Sequence, residues 1–176
     1  MSTGAAPATL FGSVAALRAA GFDGFVSIAD LRRSGSLEVP VENGVYLVLR
    51  LSPEAPAFME RSAGGHYRGE DPSLKIEALT EKWVPGAIVL FIGRAAGTGV
   101  RGKLQQRIKR YVRFGQGAAI AHDGGHLAFQ LRDHSRLLVA WKATPDAELD
   151  QARLQLAFTE HYGAPPFAQP EQESEE

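Results

Sequence analysis

The sequence predicts an α+β domain in which helices flank a small, mostly antiparallel sheet of about three or four strands. Three observations support this fold class. Two runs rich in apolar and β-branched residues, GVYLVLRL and AIVLFIG, have the length of strands. Leu104, Ile108 and Val112 follow one another every four residues, which is the apolar stripe of an amphipathic helix. Helices and strands do not alternate regularly along the chain, so a doubly wound parallel sheet is disfavoured.

In the N-terminal half, the spacing of Leu10, Val14 and Leu17 predicts a helix. The β-branched and aromatic run after Gly44 predicts a strand. The segment after that strand is expected to be irregular, because prolines and the run SAGGHYRGEDP supply turns. The predicted elements are a disordered leader at 1–8, helices at 9–20, 29–33 and 74–82, and a strand at 45–51.

In the C-terminal half, the continuous apolar run near Phe91 predicts a buried central strand, since a strand covered on both faces shows no alternation. A turn near Asp133 is expected to join two further strands, and Gly163 ends the last helix. The tail carries four glutamates, which predicts disorder. The predicted elements are strands at 87–92, 127–131 and 137–141, helices at 101–113 and 146–162, and the tail at 170–176.

Composition excludes several classes of protein. The chain has 176 residues, 44% of them hydrophobic, and a net charge of −1, so it is not a highly basic nucleic-acid coat protein. It contains no cysteine, which excludes disulfides, cysteine-ligated zinc and a thiol nucleophile. No apolar run approaches the roughly 18 residues of a membrane span, and the N-terminus lacks the basic region of a secretory signal. We therefore expect a cytoplasmic protein without a membrane partner.

Charge is distributed unevenly along this nearly neutral chain. Residues 94–122 include no Asp or Glu. Clustered arginines match phosphate oxygens and attract polyanions, so this segment predicts a phosphate-binding surface. A basic helix face that is merely solvated is the alternative interpretation. The basic residues of the segment are Arg94, Arg101, Lys103, Arg107, Lys109, Arg110 and Arg113.

Four short motifs follow one another along the chain: Gly44-Val45-Tyr46, Phe91-Ile92-Gly93, Leu104-x-x-Arg107-Ile108-x-x-Tyr111 and Tyr162-Gly163-x-x-Pro166-Phe167-Ala168. In this order they resemble the motifs of the GIY-YIG nuclease superfamily. The run from Gly64 to Pro72 also resembles an insertion found in a bacterial subgroup of that superfamily. The resemblance implies a domain at 41–169 with an insertion at 52–85, preceded by a helical N-terminal extension at 1–40.

The resemblance implies an endonuclease that cuts a DNA phosphodiester with the help of one divalent ion, Mg²⁺. Tyr46 would help to activate water, and Arg107 would neutralise phosphoryl charge. Tyr111 fits the position one helical turn later, whereas Phe91 replaces the second tyrosine and lacks its hydroxyl. The expected metal-binding glutamate is Gln151, a neutral amide that suits Mg²⁺ poorly.

Two further residues belong to the implied site. Glu148 lies three residues before Gln151 on the same helix face, so it could reach a displaced metal. Gln169 stands where an asparagine is usual in the superfamily.

Three functions follow: a weakened Mg²⁺-dependent endonuclease, an inactive nucleic-acid-binding module and a protein-interaction domain. The expected nucleic acid is DNA, and the residues expected to contact it are Arg94, Arg101, Lys103, Arg110, Arg113 and His122.

Overall fold

The computed structural model describes residues 10–121 and 124–170 and confirms the predicted α+β class with a small antiparallel sheet. The helices are α1 (Val14–Ala19), α2 (Ile28–Ser34), α3 (Ile76–Lys82), α4 (Leu104–Phe114) and α5 (Ala147–Tyr162). The strands are β1 (Asp23–Ser27), β2 (Gly44–Leu49), β3 (Val89–Ala95) and β4 (Leu138–Ala143). Short 3-10 turns lie at Tyr67–Gly69, Val100–Gly102, His126–Gln130 and His134–Arg136.

The four strands are ordered β1-β4-β2-β3, and every neighbouring pair is antiparallel. β2 and β4 are therefore central, and all six residues of β2 are buried. Tyr46 in β2 lies opposite Gly93 in β3 and opposite Trp141 in β4. The register of β2 and β3 thus places the motifs Gly44-Val45-Tyr46 and Phe91-Ile92-Gly93 side by side.

The sheet separates two apolar layers because successive side chains of a strand point to opposite faces. On one face, Tyr46 and Val48 join the buried residues of α2 and α4. On the other face, Val45 and Leu47 join those of α1 and α5. The predicted stripe Leu104, Ile108 and Val112 is buried as expected from its spacing.

The prediction of a strand at 127–131 is wrong. The segment is the 3-10 turn His126–Gln130, preceded by Gly125 in a left-handed conformation with φ +79°. Only Leu131 forms an isolated bridge, with Phe58. The turn buries Leu127, Phe129 and Gln130 together, so its apolar composition reflects burial on all sides rather than a pleated strand.

The N-terminal 40 residues, predicted as a helical extension, also contribute strand β1 to the sheet. β1 pairs with β4 and is bulged between Gly24 and Val26. Gly24 has φ +92°, and a Cβ atom there would lie 2.6 Å from the Trp141 ring. Glycine thus lets this edge strand cross Trp141 closely. The predicted leader at 1–8, His122 and the tail from 171 onward lie outside the described residues.

A buried polar side chain, that of Gln130, holds the predicted insertion at 52–85. Gln130 is 0% exposed; its Nε2 donates to the carbonyls of Met59 and Leu74, and its Oε1 accepts from the Leu74 N–H. The backbone N–H of Gly65 donates to the Phe114 carbonyl at the end of α4. The insertion is therefore fixed against the α4 layer. Within the described ranges, no helix is long and apolar enough to cross a bilayer.

Candidate nucleic-acid interface

Tyr46, Phe91 and Tyr111 form one buried aromatic cluster between the sheet and α4. The ring centroids of Tyr46 lie 5.8 Å from Phe91 and 6.4 Å from Tyr111, and those of Phe91 and Tyr111 lie 6.3 Å apart. The exposed fractions of the three residues are 1%, 4% and 0%. A Cβ atom on Gly93 would overlap the Tyr46 ring, so glycine is required where this ring crosses β3.

The loop that contains Gly124 and Gly125 covers this aromatic cluster. The Tyr111 hydroxyl donates to the Gly125 carbonyl at 2.8 Å, and the Gly125 N–H donates to the Ala168 carbonyl. Burial, and then the nearby Tyr46, raise the pKa of Tyr111 well above its usual value. Tyr111 therefore remains protonated at neutral pH. These contacts give Tyr111 a positioning role between α4 and the loop.

A second cluster lies at the outer edge of β3, on the side away from β2, where no strand of the described residues pairs with Ile92. The Ile92 N–H donates to Gln169 Oε1 at 3.1 Å, and its carbonyl accepts from Gln169 Nε2 at 3.0 Å. The same carbonyl accepts from Gln151 Nε2 at 3.1 Å. Arg94 Nη1 in turn donates to Gln151 Oε1 at 3.1 Å. Both ends of the Gln151 amide are therefore used within the protein.

The side chains around Gln151 are not suitable ligands for Mg²⁺. Its amide oxygen is bonded to the Arg94 guanidinium, a fixed positive charge that repels a cation. The nearby carboxylate, Glu148, is 72% exposed, and its Oε1 lies 4.0 Å from Arg94 Nη2. Mg²⁺ usually requires carboxylates in near-octahedral geometry. Across the described ranges, no group of three or more His, Asp or Glu side chains could hold a metal ion.

The basic residues of α4 and of the turn before it lie beside its buried stripe. Arg101, Arg110 and Arg113 are exposed and form no ion pair with any residue the structure describes. Lys103 Nζ donates to Asn43 Oδ1 at 3.1 Å. Arg107 is half-buried at the border of the stripe. We call these five residues, Arg101, Lys103, Arg107, Arg110 and Arg113, the basic surface.

Side chains, rather than the start of the helix, give the basic surface its capacity for anions. The N–H of Leu104 donates to the Glu42 carbonyl, and that of Gln105 donates to the Pro40 carbonyl. These first donors of α4 are therefore occupied by the backbone and are not free for a phosphate. Asn43, which holds Lys103, was not predicted, because an isolated asparagine before a strand carries no pattern.

Arg94 is not part of this surface. Phe91 and Ala95 belong to the apolar layer that contains α4, whereas Arg94 lies on the α5 side, against Gln151 and Glu148. The predicted nucleic-acid contacts are therefore divided between the two faces of the sheet. His122 lies outside the described residues.

Comparison with known proteins yields no relative: no protein-family model, no curated protein and no solved structure matches the chain. The site is therefore characterised by its own residues. Its parts are the buried aromatic cluster, the amide cluster at the β3 edge and the basic surface. Of these, the basic surface contains three exposed arginines, Arg101, Arg110 and Arg113, that form no ion pair within the described residues.

Proposed function

We propose that this chain binds nucleic acid, DNA in the first instance, through the phosphodiester backbone and the basic surface. The observation that carries the proposal is that Arg101, Arg110 and Arg113 are exposed without an ion pair in the described part of the chain. No acidic residue interrupts residues 94–122 in a chain of net charge −1. Arginines that contact phosphates release the counterions condensed on the nucleic acid. This release is the main source of affinity for the phosphodiester backbone.

The dimensions of α4 suit this role. From Lys103 to Arg113 the helix rises about 15 Å, at 1.5 Å per residue. That length spans about four phosphates of one strand at 3.4 Å each. The predicted partner is therefore a short stretch of phosphodiester backbone, without any base-reading contact. A cytoplasmic location with access to DNA is part of the same proposal.

Hydrolysis is the second candidate, in keeping with the GIY-YIG resemblance. It is favoured by one observation: Tyr46 lies opposite Gly93 in an adjacent strand, as the two signature halves would. The burial of Tyr46, the missing hydroxyl at Phe91 and the occupied amide of Gln151 argue against efficient chemistry. We therefore propose that the chain binds nucleic acid and cleaves it weakly or not at all.

Fluorescence anisotropy of labelled DNA at several salt concentrations tests the binding proposal. The double variant Arg110→Ser/Arg113→Ser should lower affinity about tenfold or more at low salt, and it should reduce the salt slope by about 2. The matched control, Arg18→Ser/Arg153→Ser, changes the net charge equally on helices of the opposite face. Equal losses in both variants, or binding that does not respond to salt, would contradict the proposal and favour a protein-interaction domain.

Incubation with linear, nicked and branched DNA in Mg²⁺ or Mn²⁺ tests cleavage separately. We expect no efficient cleavage by the unmodified chain. Divalent-dependent cleavage that Arg107→Ala abolishes would instead establish a nuclease, and its loss in Glu148→Ala would assign that carboxylate to the metal. Cleavage that appears only in Gln151→Glu would show that the amide is what prevents metal binding.

A further inference from the structure

A second concentration of arginine surrounds a cavity of about 490 Å³ at the opposite end of β2 from the basic surface. The cavity is lined by Arg50, Arg132 and Arg136, together with apolar side chains that include Leu51 and Leu137. Lys103 and Asn43 lie by Gly44, where β2 begins, whereas Arg50 directly follows Leu49, where it ends. Six residues of extended chain separate the two ends by about 20 Å.

Arg50 is a buried charge in the wall of this cavity. It is 7% exposed; its Nε donates to Asp133 Oδ2 at 2.9 Å, and its Nη1 donates to the Glu54 carbonyl at 2.8 Å. Its guanidinium carbon lies 5.5 Å from the centre of the Trp83 ring. Nη2 has no hydrogen-bond partner among the described residues, and it is not fully enclosed by the protein. Nη2 of this rigidly held arginine therefore keeps donors that no described residue uses.

Arg132 and Arg136 add two exposed guanidinium groups on a fixed backbone. The N–H of Arg132 donates to the Ala57 carbonyl, and that of Arg136 donates to the Asp133 carbonyl. Neither side chain forms an ion pair or a hydrogen bond with the described residues. Two carboxylates lie in the lining, but Asp133 is paired with Arg50, and Glu54 is exposed and forms no ion pair with a described residue. The lining thus has a net charge of +1, from three arginines and two carboxylates.

We infer that this cavity binds a small molecule through an oxyanion, a phosphate or carboxylate group, held by Arg50, Arg132 and Arg136. Guanidinium groups are planar donors whose geometry matches both kinds of oxyanion. The cavity is within the usual size range of small-molecule sites, and Leu51, Ala55 and Leu137 supply an apolar wall for the body of the ligand. This inference does not depend on nucleic-acid binding, because it uses none of the basic surface.

Trp83 provides a local reporter because it stacks on Arg50. We would titrate the full chain, in a Trp141→Phe background, with inorganic phosphate, adenosine monophosphate and acetate, and record tryptophan fluorescence. A saturable change is expected with at least one of these probes. Response to phosphate or the nucleotide would assign a phosphorylated ligand, and response to acetate alone would assign a carboxylate.

The variants show whether the response arises in this cavity. Arg132→Ser/Arg136→Ser should weaken binding about tenfold or more, since each removes a charge-assisted contact. Arg110→Ser/Arg113→Ser removes the same charge from α4 and should leave the response unchanged. Absence of saturation with every probe, or equal affinity in the Arg132→Ser/Arg136→Ser variant, would overturn the inference. Either result would leave DNA binding by the basic surface untouched.

Discussion

The side-chain amide of Gln169 pairs with the main chain of Ile92 as a neighbouring strand would. One amide group both accepts from the Ile92 N–H, at 3.1 Å, and donates to its carbonyl, at 3.0 Å. The Ala168 N–H adds a bond to the Leu90 carbonyl at 2.8 Å. The segment that follows α5 therefore satisfies the outer edge of β3, which would otherwise expose unpaired backbone groups.

Replacing Gln169 by alanine should lower the free energy of unfolding by about 2 kcal/mol, because two hydrogen bonds are lost at a half-buried edge. Urea denaturation of both proteins measures the difference. Gln116→Ala removes an exposed amide whose side chain forms no hydrogen bond within the described part of the chain, so it should change stability little. If the two variants are equally stable, Gln169 does not hold the β3 edge.

Gly93→Ala should destabilise the fold by about 1–3 kcal/mol, because the new methyl group would overlap the Tyr46 ring. Thermal unfolding measures this effect, and the near-ultraviolet circular dichroism of the aromatic cluster should change with it. Gly99→Ala is the matched control, since a Cβ atom there meets nothing within 4 Å. An unaltered melting temperature in Gly93→Ala would show that the ring can move aside.

Gln130→Ala should cost at least about 2 kcal/mol and loosen the segment 52–85, because several buried backbone groups lose their partner. Limited proteolysis should then cut within that segment first. Gln130→Glu preserves the shape but, when ionised, sets a carboxylate against carbonyls, so it should be less stable at pH 8 than at pH 5. Protease cleavage elsewhere would refute this anchoring role.

Stability should fall as the pH drops below about 6.5, the ordinary pKa of histidine. Burial, and then the charge of Lys82, lower the pKa of His126; burial, and then Arg32, lower the pKa of His134. The unfolded chain therefore binds more protons than the folded one just below pH 6.5, so acid favours unfolding. Urea midpoints between pH 5 and 7.5 measure the slope.

The double variant His126→Gln/His134→Gln should flatten this pH profile. Asp71 contributes to stability in a different pH range. Hydrogen bonds from Ser73 lower the pKa of that carboxyl, so its stabilising effect is lost only below about pH 4. An unchanged slope in the double variant would mean that other groups govern the response to acid.

Two sequence patterns predicted elements correctly: the periodic stripe of a helix with one buried face, and the continuous apolar run of a strand covered on both faces. The α4 stripe and the apolar run of β3 were found where the pattern placed them, because burial there follows the geometry of one helix or strand. The residues 127–131 were assigned incorrectly because they are buried on every side, so neither period is visible. β1 was missed because Gly24 and Phe25 take positive φ angles and interrupt any strand pattern.

The candidate site was less predictable than the fold. The charge run located the basic surface, since exposed lysines and arginines depend little on tertiary contacts. Arg94 was predicted to share one phosphate-binding surface with the residues of α4, but it lies three residues after Phe91, and an odd spacing on a strand reverses the face. The bonds of Gln151, and the open donors of Arg50, depend on segments distant in sequence, which no local pattern reveals.

The position of β4 has a consequence for synthesis. β4 lies between β1 and β2, so two strands made early have no shared neighbour until residues 138–143 are made. Before then, the nascent chain can pair β2 with β3 but cannot pair β1, whose backbone and Phe22 remain open to proteases and to other chains. A chain truncated before Leu138 should therefore be cut rapidly within residues 10–34, whereas the 176-residue chain should resist cleavage there.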